Sequence, residues 1–377
     1  MVEVEIDGGG GGGGDGWWLL RQERDKENGD LFCSHKKLIF YKLYNSKKKL
    51  YNSKKDGIPS RETTINSSNG RRPIPLIGLG TATRTESGDQ VKAAVIEAIK
   101  VGYRHFDTAS LYGTEKPLGE AIKEALRLGL IKSRAELFIT TKLWCNSTEG
   151  HLVVPALNQS LRELGLEYVD LYLIHWPLKL NQDDVKSPIT KESIAAINIK
   201  DVWEGMEKCQ NLGLTKSIGV SNFYPRIIEE ILSIAKIPPV VNQVEMNPLW
   251  QQKKLIDFCK KKDILVTGYS PLGAYNIVWG HNRVMECDVL QDIAMSRGKT
   301  VAQVSLRWMY EQGVSFVVKS FNIEWMKQNL DIFDWSLTEE EVIKISCIPQ
   351  QKHLYLSGTM LKEPHDVLSE IDAGLSY

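Results

Sequence analysis

Apolar and polar positions alternate along most of the chain in a way that predicts a repeating order of strands and helices. From Ile74 onward, short apolar runs are separated by longer segments in which apolar residues recur every three or four positions. Short runs of this kind predict buried strands, and the longer segments predict amphipathic helices. Eight strands are predicted in this way: Leu76–Gly80, Tyr103–Asp107, Leu137–Lys142, Val169–His175, Ser217–Ser221, Val240–Glu245, Leu265–Ser270 and Ser315–Lys319.

Helical patterns lie between these strands, and their order predicts a parallel sheet. Strands that are separated by crossover helices pair in parallel, and eight such units fit a closed (β/α)8 barrel, or TIM barrel. An open doubly wound sheet is the main alternative, but Gly78-Leu-Gly80-Thr-Ala-Thr lacks the third glycine of its phosphate loop. The predicted helices are Gln90–Val101, Lys116–Leu128, Leu152–Leu164, Val202–Leu212, Arg226–Ala235, Lys253–Lys261, Val289–Arg297 and Val301–Glu311.

Residues 1–60 differ in character from the rest of the chain. They contain an unbroken glycine run, Gly8–Gly14, and the heptapeptide Lys-Leu-Tyr-Asn-Ser-Lys-Lys twice, at 42–48 and 49–55. Such composition predicts a flexible, low-complexity extension, so we assign the barrel and a C-terminal substrate loop to residues 61–377 as a single domain. The glycine run has no strand before it and therefore does not indicate dinucleotide binding. A second interpretation is that this extension is a basic tail that binds nucleic acid or an acidic partner.

Composition and charge narrow the possible partners. The 47 basic and 47 acidic residues give a formal net charge of zero, so no global attraction to nucleic acid or anionic membrane is expected. The six cysteines include no C-x-x-C pair, which argues against a metal site and against a disulfide framework. No apolar run approaches the ~18 residues of a membrane span, and the acidic start Met-Val-Glu-Val-Glu is unlike a targeting peptide. We therefore expect a cytoplasmic protein that acts on a small molecule.

Polar side chains stand at the carboxyl ends of seven predicted strands, which is where (β/α)8 enzymes build their sites. Four residues at or just past strand ends supply a carboxylate, a phenol, an ammonium and an imidazole: Asp107, Tyr112, Lys142 and His175. A phenol beside a lysine is expected to have a lowered pKa and to act as a proton donor. Structural alternatives are a turn acid for Asp107, a core histidine for His175 and a loop aromatic for Tyr112. Lys142 favours a site, because a buried ammonium needs a partner.

The segments Asp107-Thr-Ala-Ser-Leu-Tyr112, Thr-Lys142-Leu-Trp and Ile-His175-Trp-Pro resemble the catalytic tetrad of the aldo-keto reductases. The resemblance extends from about Asn66 to about Gln350. It implies a monomeric enzyme that reduces a ketone or aldehyde with NAD(P)H. In that scheme Tyr112 is the general acid, Lys142 lowers its pKa, Asp107 holds Lys142, and His175 orients the carbonyl or shares in proton transfer.

The same resemblance implies a nicotinamide cofactor. Gln243 with Ser221 and Asn222 would bind the carboxamide. The alternative for Gln243 is a structural role, in which its side chain bonds only to neighbouring backbone. Tyr269 would stack on the ring or, alternatively, serve as a core aromatic. The full set of cofactor residues implied is Gly80, Thr81, Ser221, Asn222, Gln243, Tyr269, Ser270, Leu272, Lys319, Ser320, Phe321, Asn322, Gln328 and Asn329.

One departure from the family pattern concerns cofactor choice. Lys319, Ser320 and Asn322 favour the 2′-phosphate of NADPH, but members of the family carry an arginine where this chain has Trp325. Tryptophan brings no charge, so NADH is a possible cofactor as well. The expected substrate pocket is lined by Ala82, Trp144, Trp176 and Trp279.

Several segments look like the plant branch that includes codeinone, methylecgonone and polyketide reductases, among them Pro238-Pro-Val-Val-Asn-Gln-Val-Glu-Met. The expected substrate is then a cyclic ketone of plant specialised metabolism. Two alternatives stay open: a non-catalytic, cofactor-binding regulatory protein, and a degraded, inactive reductase copy. The second is suggested by Trp325 and by the divergent stretch His353–Tyr377.

Overall fold

The computed structural model describes residues 61–67, 70–83, 85–180, 194–273 and 282–351. These residues belong to a compact unit that spans Gly57–Tyr377. The predicted extension at 1–60, the expected pocket residue Trp279 and the divergent stretch His353–Tyr377 lie outside the described residues.

Twelve strands lie within this described part of the chain. They are β1 Glu62–Ser67, β2 Gly70–Pro75, β3 Ile77–Gly80, β4 His105–Asp107, β5 Phe138–Leu143, β6 Val169–Ile174, β7 Leu178–Leu180, β8 Ile194–Ala196, β9 Thr215–Ser221, β10 Val241–Glu245, β11 Leu265–Tyr269 and β12 Ser315–Val318. Eight of them close into a parallel barrel in the order β3, β4, β5, β6, β9, β10, β11 and β12. The predicted (β/α)8 fold is therefore confirmed, and the predicted strand ends agree to within two residues.

The helices surround this barrel. They are α1 Gly88–Val101, α2 Glu115–Arg127, α3 Gly150–Leu164, α4 Ile199–Asn211, α5 Pro225–Ile234, α6 Lys253–Lys261, α7 Asp288–Arg297, α8 Val301–Glu311, α9 Ile323–Leu330 and α10 Glu339–Ser346. All eight predicted helices are present, whereas α9 and α10 have no counterpart in the predictions. In the described ranges, no helix combines the length and apolar character needed to cross a membrane.

Helix α1 shows how local sequence sets these elements. Ser87 and Gln90 form a reciprocal capping box at its start, which satisfies backbone N–H groups that have no partner inside the helix. Its end lies at Gly102, whose φ of 110° is in the left-handed region that favours glycine. Between these limits Val91, Val95 and Ile99 are buried. The helix thus presents one apolar stripe to the barrel.

A β1–β2 hairpin, absent from the predictions, packs at the amino end of the barrel. Its buried residues Ile65 and Ile74 join an apolar cluster with Phe138, Leu171 and Val241 from the barrel strands. This cluster is separate from the larger core between strands and helices. The hairpin therefore fills the end of the barrel opposite the strand ends that carry the candidate site.

An ion network fixes the hairpin to that end. The fully buried carboxylate of Asp170 lies 2.5 Å from Arg72 Nη2 and 2.7 Å from Arg134 Nη2. Asp170 Oδ2 also accepts a hydrogen bond from the backbone N–H of Ile139 at 2.9 Å. These three donors satisfy the buried carboxylate and stabilise the attachment of the hairpin, since removing one partner of a buried ion pair typically costs ~3–5 kcal/mol.

Candidate active site

The four predicted catalytic side chains meet at the carboxyl end of the barrel. Asp107 ends β4, Lys142 is the penultimate residue of β5, and His175 directly follows β6. Tyr112 closes one turn of 3₁₀ helix, Ser110–Tyr112, and the following Gly113 has a φ of 67°. This left-handed glycine lets the chain turn directly after Tyr112.

Lys142 lies at the centre of the group. Its ammonium is buried, and it donates hydrogen bonds to Asp107 Oδ1 at 2.6 Å, to the Thr108 carbonyl at 3.0 Å and to the Tyr112 hydroxyl at 3.5 Å. Burial alone lowers the pKa of a lysine, but Asp107 and Tyr112 more than offset this effect and raise the pKa of Lys142. The ammonium therefore keeps its charge beside the phenol.

His175 approaches Tyr112 from another side. Its Nε2 lies 3.4 Å from the Tyr112 hydroxyl, and its ring packs edge-on against Trp144 with 5.2 Å between centroids. Burial, and then the charge of Lys142, hold the pKa of His175 well below 6.5, so the imidazole is neutral. Its Nδ1 is buried and has no hydrogen-bond partner among the described residues.

The predicted lowering of the Tyr112 pKa is wrong for this structure. Burial raises the pKa of Tyr112 above 10.0, and the opposing effect of Lys142 is smaller. The sequence identifies the neighbouring charge but gives no measure of how far the phenol is removed from water. The consequence is that Tyr112 holds its proton firmly until a strong base forms beside it.

A second group of polar side chains joins the four. Gln243 Nε2 donates to Asp107 Oδ2 at 2.8 Å, and Ser221 Oγ donates to the Gln243 carbonyl at 2.9 Å. Asn222 Nδ2 donates to the His175 carbonyl at 3.0 Å, while Asn222 Oδ1 accepts from the Tyr269 hydroxyl at 2.8 Å. Residues at or near the carboxyl ends of five barrel strands (β4, β6, β9, β10 and β11) therefore form one hydrogen-bonded surface.

The backbone is also unusual at this surface. Asn222 has a φ of 63° and Ser270 has a φ of 51°, values that cost energy for residues other than glycine and cluster at functional sites. A surface of amide and hydroxyl groups beside an ionised lysine suits the carboxamide of a nicotinamide, which both donates and accepts hydrogen bonds. These residues thus fit that cofactor chemically.

The Lys319 segment links β12 to α9. Asn322 caps α9, because its Oδ1 accepts from the backbone N–H groups of Glu324 and Trp325 at 2.9 and 3.1 Å. A helix start beside an ammonium favours bound anions, so Lys319 and its neighbours fit a phosphate. Trp325 is 50% exposed and adds no charge. Lys319 Nζ donates to Glu86 Oε1 at 2.8 Å. Glu86 was not among the residues predicted from the sequence.

The remaining predicted cofactor and pocket residues differ in their surroundings. The hydroxyl of Thr81 is buried and bonds to the Asp107 carbonyl and to Thr114. Asn329 is buried, whereas Gln328 is exposed. Trp144 and Trp176 are both 5% exposed. Gly80 ends β3, and the half-buried residues Ala82, Leu272 and Phe321 lie on loops that leave barrel strands.

A cavity of ≈ 570 Å³ lies elsewhere on the surface. Its lining includes Leu249, Cys287, Cys347 and Gln350, and it contains none of the four predicted catalytic residues. We assign the candidate site by the converging charged and polar groups rather than by cavity size, since chemistry requires those groups.

Comparison with known proteins agrees with this fold. Residues 76–348 match the model of the aldo/keto reductase family. The match covers well over half of the 377 residues, and the chain belongs to this family.

Individual relatives come from plants and from animals. D-galacturonate reductase of Fragaria ananassa is 55% identical over 303 residues, which cover 80% of this chain and 94% of that protein. The (1S)-1,7-diacetoxy-luvungin A aldo-keto reductase of Citrus sinensis is 57% identical over 281 residues, or 74% and 88% of the two chains. A Bombyx mori aldo-keto reductase solved in complex with NADP has a TM-score of 0.71 and 37% identity, covering 81% of this chain and 99% of that one. The protein is therefore a nicotinamide-dependent oxidoreductase that reduces a carbonyl group.

Proposed function

We propose that Tyr112, Lys142, Asp107 and His175 carry out this reduction. The observation that supports the proposal is the position of the Tyr112 hydroxyl, which lies 3.5 Å from a buried ammonium and 3.4 Å from a neutral imidazole. A regulatory protein without catalysis has no need of this arrangement. When bound, the nicotinamide cofactor supplies the hydride that reduces the carbonyl carbon.

The protein's own contribution is to orient the carbonyl and to protonate its oxygen. Because the imidazole of His175 is neutral, only one of its nitrogens carries a proton. We assign that proton to Nε2, which faces Tyr112, so that Nε2 and the Tyr112 hydroxyl both donate to the carbonyl oxygen. As negative charge develops on this oxygen, these two donors stabilise it.

Proton transfer then proceeds from Tyr112. An alkoxide is a stronger base than a phenolate, so transfer is favourable even though burial raises the pKa of Tyr112. Lys142 stabilises the phenolate that is left, and Asp107 keeps Lys142 in place through the 2.6 Å ion pair. The positive charge of Lys142 thus acts after proton transfer, by stabilising the Tyr112 phenolate.

NADPH is the cofactor that we propose, with NADH as the alternative. Lys319 and the start of α9 support binding of a 2′-phosphate, and the NADP complex of the Bombyx mori relative is consistent with it. Trp325 supplies no second positive charge, so a weaker preference for NADPH is expected than where an arginine stands.

The proposed substrate is a cyclic ketone of plant specialised metabolism. Support comes from the similarity to aldo-keto reductases that are named for luvungin A and neemfruitin B derivatives in Citrus sinensis and Melia azedarach. The similarity to D-galacturonate reductase favours a second candidate, an open-chain sugar-acid aldehyde. We further propose a cytoplasmic location, which is consistent with the free buried thiols of Cys145, Cys209 and Cys259, and a monomeric state.

A carbonyl panel tests this proposal. Purified protein is assayed with cyclic ketones, simple aldehydes and D-galacturonate, each with NADPH and with NADH. We expect turnover of cyclic ketones with NADPH. Cofactor binding without turnover of any carbonyl would instead support the regulatory alternative, and loss of both would support an inactive copy.

A further inference from the structure

Glu86 is an acidic residue that forms an ion pair with Lys319, the residue proposed to bind the 2′-phosphate. It lies on the loop between β3 and α1, and its Oε1 is 2.8 Å from Lys319 Nζ although the two residues are 233 positions apart. The pair is only partly exposed, with 21% of the Glu86 side chain and 29% of the Lys319 side chain accessible to water. A carboxylate on the loop after the first barrel strand, β3, thus neutralises the lysine that directly follows the last barrel strand, β12.

The carboxylate is held on both of its oxygens. Oε2 accepts hydrogen bonds from the hydroxyls of Thr83 and Thr85, the latter at 2.6 Å. Burial alone would raise the pKa of Glu86, but its bonds to Lys319 and Thr85 lower it. Glu86 is therefore ionised at neutral pH and is fixed in position before any ligand binds.

The two nicotinamide cofactors would meet this pair differently. A 2′-phosphate that binds Lys319 must either displace Glu86 or share the ammonium with it, and in both cases the carboxylate faces a second anion. A 2′-hydroxyl can leave the ion pair intact and donate a hydrogen bond to the carboxylate. Only the phosphate is penalised by the charge of Glu86.

We propose that Glu86 is a specificity-determining residue that lowers the preference of this reductase for NADPH over NADH by competing for Lys319. The inference rests on the proposed function, in which Lys319 faces the ribose end of the cofactor. Glu86 and Trp325 then act in the same direction, the first by adding a negative charge and the second by omitting a positive one.

Direct binding measurements test the proposal without turnover. The dissociation constants of NADPH and NADH are measured by titration calorimetry for the wild type and for Glu86→Gln, which removes the charge at nearly constant shape. NADPH should bind at least about threefold more tightly to the variant, the scale of a partly exposed ion pair. NADH should bind equally well or more weakly. Glu86→Ala should change the ratio in the same direction, which guards against an effect specific to glutamine.

Glu97→Gln is the matched control. It removes one negative charge from a surface ion pair with Lys100 on α1, where the two atoms are 2.7 Å apart, and it should leave both dissociation constants unchanged. An unchanged NADPH to NADH ratio in Glu86→Gln, or an equal shift in Glu97→Gln, would overturn the proposal.

Lys319→Ala separates this inference from the proposed function. If it weakens NADPH binding while Glu86→Gln has no effect, only the role of Glu86 is refuted. If it changes neither cofactor's affinity, Lys319 does not face the phosphate, and the assignment of this segment fails together with the inference.

Discussion

Replacing Asp107 by asparagine tests whether one carboxylate holds the candidate site together. Asp107 Oδ1 accepts from Lys142 at 2.6 Å and Oδ2 accepts from Gln243 at 2.8 Å. Asparagine has a single side-chain oxygen, so it can accept from only one of these donors and must turn its own N–H groups toward the other. The substitution removes the charge and one acceptor at nearly constant volume.

The expected loss of stability follows from burial. Lys142 is 1% exposed and Asp107 is 3% exposed, and removing one partner of a buried ion pair typically costs ~3–5 kcal/mol. We therefore expect the free energy of unfolding to fall by about 3 kcal/mol or more. Loss of Asp107 also removes the main group that raises the pKa of Lys142, so the ammonium should lose its proton at lower pH in the variant.

The pH dependence has a defined sign. A lysine whose pKa is raised on folding contributes stability below its unfolded pKa of about 10.5, and this contribution is lost as the pH rises through the folded pKa. The wild type should therefore lose this contribution of Lys142 only at strongly alkaline pH. In Asp107→Asn this alkaline loss should be smaller, because the contribution is already missing at neutral pH.

Urea unfolding supplies the measurement, and an exposed pair supplies the control. Glu97→Gln breaks an ion pair with a similar distance of 2.7 Å, but its side chains are 38% and 43% exposed. It should cost at most ~1 kcal/mol. If Asp107→Asn costs no more than Glu97→Gln, burial does not decide the strength of the ion pair between Asp107 and Lys142, and the predicted cost is refuted.

Three further predictions concern the proton donor, the phosphate end and the histidine. Tyr112→Phe should lower kcat at least ~100-fold, the scale of a lost general acid, with the dissociation constant of NADPH unchanged in calorimetry. Trp325→Arg should tighten NADPH binding roughly tenfold and NADH binding little, because a charge-assisted bond to the phosphate is added. His175 has a folded pKa well below 6.5, so it contributes stability above pH 6.5 that is lost as the pH falls through the folded pKa. Urea unfolding measures the free energy of unfolding at pH 7.5 and at pH 5.5. The decrease between these two pH values should be smaller in His175→Asn than in the wild type, by up to about 1.4 kcal/mol.

Each of these has a contrary outcome. Wild-type turnover in Tyr112→Phe would remove Tyr112 from the proposed mechanism. Equal tightening of both cofactors by Trp325→Arg would show that position 325 does not face the phosphate. His105 also has a lowered pKa through burial, but it is present in both proteins, so its contribution cancels. An unchanged pH difference in His175→Asn would mean that the imidazole is not held neutral by burial.

The strands and the strand-end residues could be predicted because their signals are local. A barrel strand that is buried on both faces is an apolar run, such as Leu171-Tyr-Leu-Ile, and the first polar residue after it, His175, marks the strand end. Since parallel strands end at one rim of the barrel, predicting the strands also brings together residues that are far apart in sequence.

The elements that escaped prediction lack such signals. Strand β2, Gly-Arg-Arg-Pro-Ile-Pro, contains two prolines and two arginines and shows no regular alternation. Helix α9 has only eight residues and buries Met326 and Asn329 alone. Its position is set by packing on α1 rather than by its own pattern.

Two features of the site depend on three-dimensional surroundings. The pKa of Tyr112 is raised because burial outweighs the neighbouring charge, and the extent of burial cannot be read from spacing. The pairing of Glu86 with Lys319 joins the first and last barrel strands, which meet only because β12 pairs with β3 and closes the barrel. Closure of the barrel therefore brings Glu86 and Lys319 next to each other.

The same closure explains why Asp107 has the widest influence in the site. It accepts from Lys142 on the next strand along the chain and from Gln243 on a strand across the barrel. The proposed proton donor depends on the first of these bonds, and the proposed carboxamide-binding surface depends on the second. If the two functions share this carboxylate, Asp107→Asn should weaken cofactor binding as well as proton transfer, whereas Tyr112→Phe should affect proton transfer alone. Calorimetry on both variants separates these outcomes. Unchanged NADPH affinity in Asp107→Asn would show that Gln243 is positioned independently of Asp107.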